Sequence, residues 1–129
     1  MKTIFKIIIN ILFIFNNFFS LVKNWTINID GEECSCIYHT NDLIEIECIK
    51  DLDRRVFPNL NKYLSQKKVY NLTLSQKKYG KIANFSFTNL SIISLDLSKN
   101  QLSIIEVNTF YGLKKLMELF LTHNRLTEI

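Results

Sequence analysis

The stretch Leu95 to Leu102 reads LDLSKNQL, and Leu119 to Leu126 reads LFLTHNRL. Between them the apolar pattern returns at a spacing of 24 residues: Ile92, Leu95, Leu97, Asn100, Leu102 and Ile105 become Leu116, Leu119, Leu121, Asn124, Leu126 and Ile129. One step upstream, at a spacing of 23, stands a worn copy made of Val69, Leu72, Leu74, Lys77, Tyr79 and Ile82. A fixed period in this range is the mark of a solenoid, in which each repeat buries its apolar side only by stacking on the next.

Physical chemistry gives each position a role. In LxL the leucines alternate with polar neighbours, so they share one face of a short strand. After the strand the backbone turns, and a side chain with both a donor and an acceptor can satisfy turn amides and carbonyls that would otherwise be buried unpaired. Asn100 and Asn124 qualify and, stacked in register, form an asparagine ladder. An ammonium only donates, so Lys77 predicts an irregular first repeat. Phe87 with Leu90, and Phe110 with Leu113, are spaced for one helical turn that plugs the core from the far side.

The pattern LxxLxLxxNxL with a looser return half resembles the leucine-rich repeat family, in its extracellular, typical 24-residue form as found in receptor and adhesion ectodomains. The resemblance implies an α/β solenoid: a right-handed coil with short parallel strands on the concave side and irregular or short-helical segments on the convex side. It also implies binding of a protein partner on the concave face, with no catalysis and no cofactor. Here that face would be paved by Asn71, Thr73 and Ser75, then Ser94, Asp96 and Ser98, then Glu118, Phe120 and Thr122. Phe120 is its one large apolar group, of a type favoured as an interface anchor.

Three segments are expected. Residues 1–22 open with Lys2 and Lys6 and continue as IIINILFIFNNFFSLV, a secretory signal in pattern. Asn10, Asn16, Asn17 and Ser20 interrupt the apolar run, which leaves an uncleaved anchor as the minority alternative. Residues 30–68 form a cysteine-containing cap and linker, and 69–129 two repeats plus a truncated third. Secretion would make Asn24, Asn71, Asn84 and Asn89 glycosylation acceptors, since each heads an N-x-S/T sequon. Of these, Asn84 and Asn89 on the return half are expected to carry more glycan than Asn71.

The cysteines are Cys34 and Cys36 in ECSCIYH and Cys48 in LIEIEC. Alongside the repeats they resemble the N-terminal cysteine cap of extracellular members, which has four cysteines paired first to third and second to fourth. The first is absent here. The resemblance therefore implies a Cys34–Cys48 bridge and leaves Cys36 as a free thiol. A rival reading, a zinc site of Cys34, Cys36, His39 and Cys48, has the right ligand types, but its CxC spacing is tighter than structural zinc sites favour.

Net charge is +4, and Lys2 and Lys6 lie within the expected signal. From Arg54 to Lys81 the chain carries basic residues and no acid, whereas Asp30 to Asp53 is rich in acids. Such a basic block is most often a solvated face; on a secreted protein it could hold a sulfated glycan, and the signal argues against nucleic acid. The only glycines, Gly31, Gly80 and Gly112, exclude a phosphate-cradling loop. Glu45 with Glu47 and Asp51 with Asp53 read as surface charge, and His123 as an exposed turn residue. The expected function is non-catalytic protein recognition by a secreted or cell-surface protein. The alternatives are a matrix protein binding sulfated glycans and the N-terminal part of a secreted enzyme.

Overall fold

A computed structural model describes residues 25–39, 42–50 and 56–127. The expected signal, Asn24, Asp51, Asp53, Arg54, Arg55 and Ile129 lie outside the described residues. Six strands form one sheet in chain order: β1 Trp25–Ile29, β2 Glu32–Tyr38, β3 Leu43–Cys48, β4 Lys68–Leu74, β5 Ser91–Asp96 and β6 Glu118–Phe120. β1, β2 and β3 pair antiparallel, and β3 to β6 pair parallel. The sheet therefore begins as a hairpin cap and continues as a coil, one strand per turn.

The cap reaches back to Trp25, upstream of residue 30. Ile29 pairs with Glu32 across the two-residue loop Asp30-Gly31, both at positive φ (54° and 86°). Asp-Gly is the preferred sequence for such a hairpin turn, because its backbone twist matches that of the flanking strands. The alternation in LIEIEC buries Ile44, Ile46 and Cys48 and turns Glu45 and Glu47 outward. Val69, Leu72 and Leu74 then stack on Ile92, Leu95 and Leu97, all fully buried.

Between strands the chain returns by turns and, among the described residues, one short helix, α1 (Asn61–Leu64). Around Phe87 the helical turn expected from the Phe-x-x-Leu spacing is tighter than α: the N–H groups of Ser86, Thr88 and Leu90 donate to carbonyls three residues back. Phe87 is wholly buried and joins an aromatic column, with Phe57 at 5.5 Å and Phe110 at 5.7 Å, while Phe57 in turn meets Tyr79 at 5.0 Å. Such contacts are worth about 0.5–1.5 kcal/mol each beyond burial. They tie the linker, through Phe57, to successive turns of the coil.

The ladder operates as its chemistry requires. Asn100 Oδ1 accepts from the backbone N–H of Lys77 (3.0 Å) and Tyr79 (3.3 Å), and its Nδ2 donates to the carbonyls of Leu74, Leu97 and Ser98. Asn124 repeats this one turn on, accepting from Leu102 N–H and donating to the Leu97 and Leu121 carbonyls. Each amide thus serves the preceding turn's backbone as well as its own. The residue before each ladder position, Gln76, Lys99 and His123, lies at positive φ between 54° and 60°.

Lys77 departs from the sequence reading in two ways. It is not part of a solvated basic face, since its side chain is 0% exposed. Nor does it leave the turn unserved. Its Nζ donates to the Lys50 carbonyl and, at 2.8 Å, to Glu32 Oε1, which also accepts from the Lys50 N–H at 3.2 Å. The donor and acceptor that one asparagine combines are here divided between an ammonium from the coil and a carboxylate from the cap.

Candidate interaction surface

Strand pairing aligns the outward side chains into rows. One row runs Ile37, Glu45, Asn71, Ser94, Glu118; the other runs Ser35, Glu47, Thr73, Asp96, Phe120. Neighbouring members lie one strand spacing apart, about 4.8 Å. The expected face of Asn71, Thr73, Asp96, Glu118 and Phe120 is thereby assembled and extended by two cap strands. Glu45 and Glu47, which read in the sequence as loose surface charge, belong to this face. The signal that could have placed them is the period-two alternation in LIEIEC, which continues the face of the repeat strands.

Exposure along these rows is uneven. Phe120 is 46% exposed and Ile37 44%. Glu47 and Glu118 are exposed, whereas Glu45, Asn71, Thr73 and Asp96 are half-buried. Ser94, expected as a contact residue, is buried, as are Ser75 and Ser98. The cause at Ser94 is a short side chain on an inner strand between the longer Asn71 and Glu118. Its role is spacing rather than contact.

The two rows contain no basic residue. Asp96 Oδ1 accepts from the Ser98 N–H at 2.8 Å, and Glu45 lies 3.2 Å from His39 Nε2, whose ring meets Tyr70 edge-on. No ion-pair partner for Glu47 or Glu118 is found among the described residues. A shallow pocket opens where cap and first repeat meet, lined by Ser35, Ile37, Glu45, Glu47, Asn71 and Thr73 over the backbone of Ile46.

Four described members of the basic block have partners of different kinds. Lys77 is buried, and Lys81 pairs with Glu106 at 2.6 Å. Lys62 lies over the Tyr63 ring and Lys67 over Trp25. Among the sequons, Asn71 is half-buried within the strand face, while Asn84 and Asn89 are exposed on the return side.

In the cap, Cys34 and Cys48 are joined by a disulfide with a Cα separation of 4.5 Å. Their sulfurs are consumed in that bond, which dismantles the zinc reading. Cys36 is free and 1% exposed, facing inward beside the bridge. Desolvation pushes its thiol from an ordinary 9.0 up to about 11, against the weaker opposing influence of a backbone hydrogen bond at Ile27 and the Lys67 charge. A buried thiol held protonated is a poor nucleophile, so a reactive or intermolecular role for Cys36 loses its physical basis.

The Leucine rich repeat family model matches residues 67–126. Comparison with curated proteins and with solved structures returned no match. Period, parallel strands, ladder and family match coincide on the same segment, and residues 67–126 are a leucine-rich repeat domain whose sheet is continued by the hairpin cap.

Proposed function

We propose that this protein is secreted or displayed at the cell surface and recognises a protein partner, without catalysis, on the outward face of its parallel strands. Leucine-rich repeat domains commonly mediate protein–protein recognition, which supplies the general role. The observation that carries the particular reading is the pair of continuous rows across β2 to β6, bounded by exposed Ile37 and Phe120. A rigid backbone presents polar side chains side by side along these rows, and Phe120 adds an aromatic group of a type favoured as an interface anchor. Disulfides persist in oxidising compartments, so the Cys34–Cys48 bridge supports an extracellular setting.

The test begins with the full chain expressed in secretory cells and applied to an array of displayed extracellular proteins. The chain should reach the medium with Cys34 and Cys48 oxidised. Binding should fall with Thr73→Arg or Phe120→Arg and persist with Tyr111→Arg on the return side. Cytosolic retention with both cysteines reduced would refute the location. Binding lost only in Tyr111→Arg would refute the surface.

A further inference from the structure

We infer that the strand face is built for a basic partner: the pocket between β2, β3 and β4 takes a lysine or arginine side chain, and the rows beyond it accept further positive charge from the same segment. This rests on the strand face being the recognition surface. The chain as a whole is basic, with Lys and Arg at 16 against 12 for Asp and Glu, yet the two rows carry Glu45, Glu47, Asp96 and Glu118 and no cation. Overall composition therefore does not account for the sign of this face. Of the lysines near this region, Lys77 is directed into the core and Lys67 lies over the Trp25 ring, while Lys68 is exposed at the start of β4, paired with Leu43 and Ser91 outside the two rows; His39 Nε2 meets only Oε1 of Glu45.

The pocket has the chemistry that a long cationic side chain needs. Ile37 offers an apolar wall for the methylene stem, as such stems favour apolar surface while the charged head stays in a polar setting. Glu45 and Glu47 are two residues apart on one strand face, so their carboxylates lie about 7 Å apart at the backbone and can converge on one head group. Asn71, Thr73 and Ser35 supply acceptors for the remaining N–H groups of a guanidinium, which has five donors in a fixed fork. Asp96 lies two strands beyond Glu47, and Glu118 three beyond Glu45, so an extended segment crossing the strands meets carboxylates along its path. Phe120 ends that path with an aromatic face, on which an arginine or an apolar residue packs. Like charges held this close repel one another, and a cationic segment relieves that repulsion on binding.

The experiment places the photo-reactive amino acid p-benzoylphenylalanine at position 120 or, separately, at position 111 of the full chain. Each protein is offered three synthetic peptides of equal length: Arg-Gly repeats, Ser-Gly repeats and Glu-Gly repeats. The Arg-Gly peptide should label position 120 in preference to 111, and Glu45→Gln with Glu47→Gln should weaken its binding by roughly tenfold or more, the scale of charged hydrogen bonds. If the Ser-Gly or Glu-Gly peptide labels position 120 as well as the Arg-Gly peptide does, the charge inference falls while the strand-face reading stands. If all labelling is at position 111, both fall. If the Arg-Gly peptide labels position 120 but the two glutamine substitutions change nothing, the pocket assignment is overturned.

Discussion

Replacing Lys77 with methionine isolates what the buried ion pair does. The substitution keeps most of the stem and removes the charge, so Glu32, whose side chain is 4% exposed, retains the Lys50 N–H as a donor but has no countercharge. Breaking a buried pair from one side costs about 3–5 kcal/mol, because the surviving charge stays desolvated. Lys77→Met also strips the Lys50 carbonyl of a donor; water can satisfy it, since Lys50 is exposed, so the pair sets the scale. Against a total stability of about 5–15 kcal/mol for a domain, a loss of ~3 kcal/mol lowers Tm by roughly 12–24 °C for a chain of 60–100 ordered residues.

The converse double change, Lys77→Met with Glu32→Leu, removes both charges. It should recover most of the loss, because an apolar pair of similar volume is often neutral or stabilising in such a site. Urea unfolding of the wild type, both single variants and the double, followed by far-ultraviolet circular dichroism, gives the coupling energy directly. A coupling near ~3 kcal/mol is expected from the one-sided cost, with amide exchange in β2 and β3 rising most in Lys77→Met. Single-variant losses below about 1 kcal/mol, the scale of an exposed pair, or losses that simply add, would refute the reasoning that this pair joins cap to coil.

Cys36 should be silent toward a thiol reagent in the native protein and count as one thiol per chain once unfolded without reductant; native labelling at the rate of a small thiol would refute its burial. Because its thiol stays protonated to about pH 11 when folded and ionises near 9.0 when unfolded, its stabilisation is full below pH 9 and lost by about pH 11. Cys36→Ala should flatten that part of the stability–pH curve, and an unchanged slope would refute the assignment. Trp25 pairs with Cys36 across β1 and β2, so Trp25→Cys should close a second bridge and leave no thiol in denatured protein, at a stabilisation of about 2–3 kcal/mol; a persisting thiol would refute the register. Leu95→Ala in an inner strand should cost about 3–5 kcal/mol, while Leu119→Ala, half-buried on β6, should cost about half as much; equal costs in a monomer would refute the lower burial at β6.

The coil was legible in the sequence because its physics repeats. Leu95, Leu97 and Asn100 recur as Leu119, Leu121 and Asn124, and each recurrence is separately tied to alternation and to turn satisfaction. Lys77 was illegible for the complementary reason. It occupies the ladder position with the wrong functional group, and its compensating carboxylate, Glu32, lies 45 residues away in a different kind of structure. Reading position by position shows that an ammonium cannot accept a hydrogen bond, but it does not show that another side chain accepts it instead. The left-handed residues Gln76, Lys99 and His123 were hidden too, since three unlike side chains, none of them glycine, occupy one backbone conformation. The first strand was readable in principle: Trp25, Ile27 and Ile29 alternate and run into Asp30-Gly31, the strongest short-range hairpin signal in the chain.

The outward strand face was half legible, and the missing half raises its acidic side chains from two, Asp96 and Glu118, to four. Repeat arithmetic starts at Val69, so it finds Asn71, Thr73, Asp96, Glu118 and Phe120 but stops short of the cap. In the folded sheet the cap strands continue the same rows and add Glu45 and Glu47. Net charge points the opposite way, because it counts cations of other segments, such as Lys2 and Lys6 in the expected signal, that belong to neither row. An approaching segment responds to charges within roughly a Debye length, about 8–10 Å in physiological salt, a distance of two strands. Within that distance of Glu47 the rows present Glu45, Thr73 and Asp96, so the local field is negative on a protein that is positive overall. Asp96 and Glu118 set that sign on the repeat strands, and the hairpin's joining the coil strengthens it by bringing Glu45 and Glu47 into the same rows.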